Sequence, residues 1–203
     1  SLICPDSHTC TLGGLGALAW GVGSTEAEHA LATSTLRVTR PQTMRVSFAG
    51  VLNEGVSAKD LILFTIRELS ASGGAGYAIE FAGPAIEALP VEARLTLCNM
   101  TTELSAFTGL IAPDQKVLDY CAGRRYAPQA EVWHQANQHW QSLRSDEGAA
   151  FDQEHHFDIG SLKPQLSWGT SPHHCVDWDA AIPHAGDAPD ASASTAWQRA
   201  QDY

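Results

Sequence analysis

Two segments far apart in the chain carry side chains able to hold and move protons. In Asp6-Ser7-His8-Thr9 a carboxylate, a hydroxyl and an imidazole follow one another directly. Histidine exchanges its proton near neutral pH, and a carboxylate such as Asp6 can orient the ring or raise its basicity. Leu2-Ile3-Cys4 before it reads as the last residues of a buried strand, and glycines with a helix follow. Strand ends of this kind are where α/β proteins place ligands. Amides exposed in the turn, helped by the Ser7 hydroxyl, can hold a carboxylate. The alternative is a strand-to-helix turn that Asp6 and Ser7 merely cap. The second segment is Cys98-Asn99-Met100-Thr101-Thr102-Glu103. On a helix, Asn99 and Glu103 share a face, and burying an amide and a carboxylate there is costly unless both find partners. A cap with an outward Glu103 is the structural alternative.

Other candidates carry bland readings. Gly73-Gly74-Ala75-Gly76 lacks both GxGxxG spacing and a phosphate-loop lysine, and reads as a tight helix-to-strand connection. His155-His156 and His173-His174-Cys175 have zinc-type side chains. Neighbours on a strand point in opposite directions, however, so solvated loop histidines are expected at both places. Arg124-Arg125 can bind an anionic ligand or partner, or simply end a helix in solvent. The tryptophans, Trp133, Trp140 and Trp168 among them, are expected in a core or interface. The five cysteines, at positions 4, 10, 98, 121 and 175, form no CxxC, so neither a zinc ribbon nor a thioredoxin-type site is supported. No metal ligand is assigned to this chain, and a reducing cytoplasm is the expected location.

The elements that must position these residues follow from pattern. Residues 12–32 read as a Gly/Ala-rich turn and helices, with Thr25-x-x-Glu28 as a capping box. Residues 44–50 alternate as a strand, Ser57-x-x-Asp60 caps a helix over 61–69, and 77–81 form a second strand. Strand, helix and strand at this spacing make a βαβ unit with a parallel pair. A short helix at 84–89, a longer one over 91–109, and two more at 113–122 and 128–144 are expected. Beyond residue 160 the pattern weakens to one strand at 165–169, an exposed linker over 183–195 and a helix beginning at 196. The chain's opening within an apparent strand and its close within an apparent helix read as a fragment.

Charge excludes some functions. With 23 acidic and 12 basic side chains the net charge is −11, which repels a phosphate backbone, so no nucleic-acid partner is expected. A hydrophobic fraction of 44% with a mean hydropathy of −0.15 fits a soluble globular protein. No run approaches a membrane span, and no signal peptide is visible.

Taken together, Pro5-Asp6-Ser7-His8-Thr9, the Gly73–Gly76 turn and Cys98–Glu103 resemble the aconitase family of hydro-lyases, in its isopropylmalate dehydratase branch. Glu28-His29-Ala30-Leu31-Ala32-Thr33, Ser57-Ala58-Lys59-Asp60, Ala127-Pro128, Asp146-Glu147-Gly148-Ala149, Phe151-Asp152 and Trp168-Gly169-Thr170 extend the likeness through most of the chain. Pro5, Cys10 and Ala75 depart from the family pattern, where Gly, a small hydroxyl residue and Thr are usual. The resemblance implies an α/β, aconitase-like fold of α/β/α layers. It places the end of one subdomain in 1–43, a second subdomain in 44–160, and an edge strand and linker in 161–203. It also implies reversible dehydration of a small anionic hydroxy acid at a [4Fe–4S] cluster, in leucine biosynthesis, with a small partner subunit completing the pocket. Asp6, His8 and Glu103 would then be catalytic. Ser7 and Asn99 would bind substrate, Asn99 lying beside the cluster. The cluster's cysteine motifs do not occur here, so this chain alone is expected to hold no cluster, to be inactive and to self-associate through uncovered apolar surface. Two other readings stay open. One is a homoaconitate- or citramalate-type hydro-lyase, and the other is a cluster-free binding module that keeps the fold.

Overall fold

The computed structural model describes residues 1–202. Its centre is the expected βαβ unit. In β3 (Gln42–Ala49) alternation buries Met44, Val46 and Phe48 on one face. β4 (Tyr77–Ala82) does the same with Ile79 and Phe81, and the two run parallel, Val46 beside Phe81. Between them α2 (Ala58–Leu69) begins at the expected cap, the Ser57 N–H donating to the Asp60 carboxylate at 2.8 Å. Partial burial opposes ionisation of Asp60, but donors from Gln165 and Ser57 outweigh it and lower its pKa. A single core joins these strands to Leu61, Ile62 and Ile66 of α2, Ile86 of α3 (Pro84–Ala88), and Leu97 and Cys98 of α4 (Val91–Asn99).

β5 (Thr108–Leu110) and β6 (Gln153–Asp158) complete a four-stranded, all-parallel sheet in the order β5-β4-β3-β6. The expected α/β class is borne out. The opposite face of the sheet carries Arg45 and Glu80, joined at 2.9 Å, with Arg45 also lying over the Phe151 ring.

Several expectations need correction. β6 was not anticipated, and it holds the His155-His156 pair assigned to a loop; His155 stacks on Phe157 while His156 faces solvent. Its run Gln-Glu-His-His-Phe-Asp contains no aliphatic residue, so an edge strand gives little pattern to read. β1 (Leu2–Cys4) is a strand, paired parallel with β2 (Ala19–Gly21), but Leu2 and Cys4 are exposed. β7 (Gln165–Ser167) pairs with β8 (Cys175–Asp177), and His174 between them is buried against Trp168 at 4.6 Å. Burial, then the neighbouring His173, lowers the His174 pKa. α1 (Ser24–Thr33) is capped from Gly23, whose N–H donates to Glu26, and not by Thr25 and Glu28. α5 (Gln115–Cys121) and α6 (Ala130–Gln141) lie where expected. The 183–195 linker is partly helical: α7 (Ala191–Gln201) starts early because Asp190 accepts the Ala193 N–H.

Arg94 is the largest fully buried side chain, and it ties α4 to α5. It donates to Asp114 at 2.6 Å and to the Glu87 and Leu89 carbonyls. Partial burial opposes ionisation of Asp114, yet the Arg94 bond and charge outweigh it and lower its pKa. A carboxylate lowered in the folded state stabilises above its unfolded pKa, and that stability is lost as pH falls through the folded value. Urea titrations should therefore show this contribution fading below about pH 4. Asp114→Asn should destabilise at pH 7 by about 3 kcal/mol, since it leaves a buried guanidinium without its counter-charge.

Candidate active site

Glycine decides where the site forms. After β1 the chain enters a tight 3-10 segment, Thr9–Leu15, in place of the expected helix. A Cβ at Gly13 would sit 1.7 Å from the Gly109 carbonyl oxygen, and one at Gly14 would sit 2.7 Å from the Leu95 nitrogen. Only glycine permits these backbones to touch. The contact fixes His8, at the mouth of the segment, against the end of α4.

The long helix expected over 91–109 ends as α-helix at Asn99 and tightens into a 3-10 turn, Met100–Leu104, closed by Ser105 at φ 60°. A Gly-rich connection braces this turn from behind. The Gly74 N–H donates to the Leu104 carbonyl at 2.9 Å, and a Cβ there would meet Ala106 at 2.9 Å. Gly73–Gly76 is thus the tight connection its sequence suggests, and it also supports the turn that presents Glu103.

Here the two segments meet. His8 Nε2 lies 3.1 Å from Glu103 Oε1, and His8 Nδ1 lies 2.9 Å from the Ser7 hydroxyl. An ionised carboxylate only accepts, so in the neutral imidazole Nε2 carries the proton to Glu103 and Nδ1 accepts from Ser7. A chain of Ser7 hydroxyl, His8 ring and Glu103 carboxylate results, with the His8 and Glu103 side chains both part-exposed. Glu103 Oε2 is buried and accepts no hydrogen bond from the described residues.

Two of the anticipated roles change. Asp6 does not reach the imidazole; its carboxylate accepts the backbone N–H of His8 at 2.7 Å and shapes the turn. Asn99 and Glu103 do not act from one helix face, because the 3-10 turn has about three residues per turn, not the α-helical repeat. The Asn99 amide instead donates to the Thr11 hydroxyl at 2.9 Å, which donates to the His8 carbonyl at 2.6 Å. Sequence reasoning also passed over Thr102, whose hydroxyl donates to the Ser7 carbonyl at 3.0 Å. Nothing in a polar turn residue signals such a contact in advance.

The donors present do not form a metal centre. No three His, Cys, Asp or Glu side chains among the described residues converge to hold an ion. Burial pushes the Cys98 thiol well above its ordinary pKa, Cys10 adding to the rise, so it packs as a small apolar group.

Over residues 1–203 the sequence matches the aconitase family (aconitate hydratase). The chain belongs to the aconitase family. It is also 52% identical over 202 residues to the 3-isopropylmalate dehydratase large subunit 1 of Bradyrhizobium diazoefficiens. That alignment takes in all of this chain but 42% of the relative, so the chain spans less than half of the relative's length. This aconitase-family chain has, among its described residues, no helix long and apolar enough to cross a membrane.

Thermal unfolding should distinguish the glycines that build the site from those that do not. Gly13→Ala should cost about 3 kcal/mol, since backbone cannot move aside as a side chain can. Gly186→Ala, with open space around its added methyl, should stay within about 0.5 kcal/mol of the parent.

Proposed function

We propose that this chain supplies the proton-transfer residues of a 3-isopropylmalate-dehydratase-type hydro-lyase large subunit, acting in leucine biosynthesis. The observation that carries the reading is the His8 imidazole held between Ser7 and Glu103, in a chain so similar to a protein of that name.

Dehydration removes a hydroxyl from one carbon and a proton from its neighbour. The hydroxyl is a poor leaving group unless it is protonated or polarised as the bond breaks. His8 in its protonated form, Nε2–H held on Glu103, can deliver its Nδ1 proton to the leaving hydroxyl and recover it in the hydration direction. The proton lost from the neighbouring carbon passes to a base supplied by the rest of the complete protein. Glu103 holds the ring in one orientation and steadies the charge that comes and goes on it. The Ser7 hydroxyl, at the lip of the turn, contacts a substrate carboxylate when it turns away from Nδ1. Asp6 keeps the turn in shape by accepting the His8 N–H. Asn99 stands one step behind, through Thr11, and its substrate contact is proposed on the resemblance alone.

A [4Fe–4S] cluster in the complete protein would supply Lewis-acid polarisation of the substrate hydroxyl and carboxylate. Such a cluster needs thiolate ligands, and we propose that they come from the rest of the large subunit, a reading supported by the scatter of the five cysteines here. On the resemblance, Asn99 would lie beside the cluster, with its amide held by Thr11. A small subunit is the proposed partner, with the segments 1–43, 44–160 and 161–203 as separate parts of the large subunit. Free thiols fit a reducing cytoplasm. Exposed Leu31, Val51, Tyr126 and Trp178 support self-association of the isolated chain.

The test uses the full-length large subunit with its small subunit, reconstituted anaerobically with iron and sulfide and assayed on isopropylmalate. His8→Asn and Glu103→Gln should each lower kcat by about 10²- to 10⁴-fold, with iron content unchanged. Parent-like turnover in both variants would remove the pair from the chemistry. The 203-residue chain treated in the same way should bind no stoichiometric cluster by iron counting and visible spectrum. A cluster on it would make its own cysteines ligands and overturn this account.

A further inference from the structure

We infer that Thr102 is a positioning residue for His8, a role that rests on the proposed use of the His8–Glu103 pair. Two side-chain bonds reach residues 7 and 8 from the 99–103 segment: Glu103 on the imidazole and Thr102 on the Ser7 carbonyl. The turn at 6–9 is closed on itself: the Thr9 N–H and hydroxyl both donate to the Asp6 carbonyl. Such bonds shape the turn but do not aim it. Glu103 grips the imidazole by one 3.1 Å contact between part-exposed side chains, a kind of bond that holds weakly by itself.

Thr102 adds the missing constraint. Its hydroxyl donates to the Ser7 carbonyl across 95 positions of sequence, at 3.0 Å. Ser7 directly precedes His8 and Thr102 directly precedes Glu103, so the clamp runs beside the pair it serves. The Asn99 amide reaches the turn only through Thr11, so Thr102 is the one side chain of the 99–103 segment bonded to the Ser7-His8 peptide among the described residues. A hydroxyl has a single proton, and the Ser7 carbonyl takes it. Toward Cys10, whose buried Sγ lies 3.3 Å away, the Thr102 oxygen therefore accepts. The Cys10 thiol, shared with the Asn99 carbonyl at 3.5 Å, holds the hydroxyl in the orientation that donates to Ser7. Valine keeps the shape of threonine and deletes this bond, whereas serine keeps the bond.

The experiment compares Thr102→Val, Thr102→Ser and Thr102→Ala in the full-length protein with its small subunit. The first reading is the rate of diethyl pyrocarbonate modification at each of the nine histidines that lie in this 203-residue segment, by peptide mass spectrometry. Thr102→Val and Thr102→Ala should raise the rate at His8 several-fold and leave the other histidines unchanged, and Thr102→Ser should match the parent. A rise at all histidines would mean general loosening and would overturn the proposal, as would no change at His8. The second reading is isopropylmalate turnover. Thr102→Val should lower kcat about tenfold with KM within twofold, because a small misplacement of a catalytic group is costly, and Thr102→Ser should restore it. Turnover unchanged in an active enzyme would overturn the proposal. A specific change at His8 in a protein that dehydrates no hydroxy acid would uphold Thr102 and refute the proposed function instead.

Discussion

The site depends on backbone pressed against backbone. Where Gly13 meets Gly109 and Gly14 meets the middle of α4, no side chain of any size fits, so the 3-10 segment cannot slide or tilt without losing the fit. The Ile111 N–H, donating to the Gly13 carbonyl at 3.0 Å, stitches that segment directly to the chain leaving β5. Rigid contact of this kind does what an apolar core does poorly. It sets a register to a fraction of an ångström, because a close-packed interface has no soft direction. The core beneath, built on β3, β4 and α2, supplies stability. The glycine contact supplies position, and a His–Glu pair needs position more.

Charge works at a different scale. The chain carries −11 overall, which disfavours the approach of an acid anion from afar. Screening confines most of that field to within about 10 Å at moderate salt. Inside the site, local donors decide. Arg94, which is buried, and Arg45, which is part-buried, are committed to Asp114 and Glu80 and hold the scaffold. Within the turn the His8 and Thr9 amides are spent on Asp6, which leaves the Ser7 hydroxyl as the donor for the anion of the proposed function.

Legibility followed periodicity. β3, β4 and the Ser57 cap were readable because alternation and capping are local rules. β6 was not, because an edge strand of polar residues shows no apolar period, and it took the His155-His156 pair with it. His174 was misplaced for a related reason: its burial comes from stacking on Trp168 across the β7–β8 connection, a contact that no apolar period announces. At the site the residue types were legible and the partnerships were not. His8 and Glu103 stood out singly, but 95 positions separate them and no spacing rule spans that gap. Adjacency suggested Asp6 for the imidazole, and geometry gave it the backbone N–H. Helical phase suggested a shared face for Asn99 and Glu103, and the 3-10 turn dissolved it.

The Glu103 carboxylate indicates how the work is divided. One oxygen is satisfied by His8, and the other is shielded from water with no hydrogen-bond partner among the described residues. Leaving such an acceptor unpaired costs about 1–3 kcal/mol, more for a charged group. Folded chains rarely tolerate this without a compensating use. A structural ion pair would have turned both oxygens to donors, as Asp114 does with Arg94 and the amides of α5. Glu103 leaves one oxygen outside its own scaffold's hydrogen bonds, while the His8 side chain is part-exposed. A chain spanning 42% of its relative's length can leave that donor to another part of the protein. That is the arrangement which the proposed acid–base role of His8 and Glu103 requires.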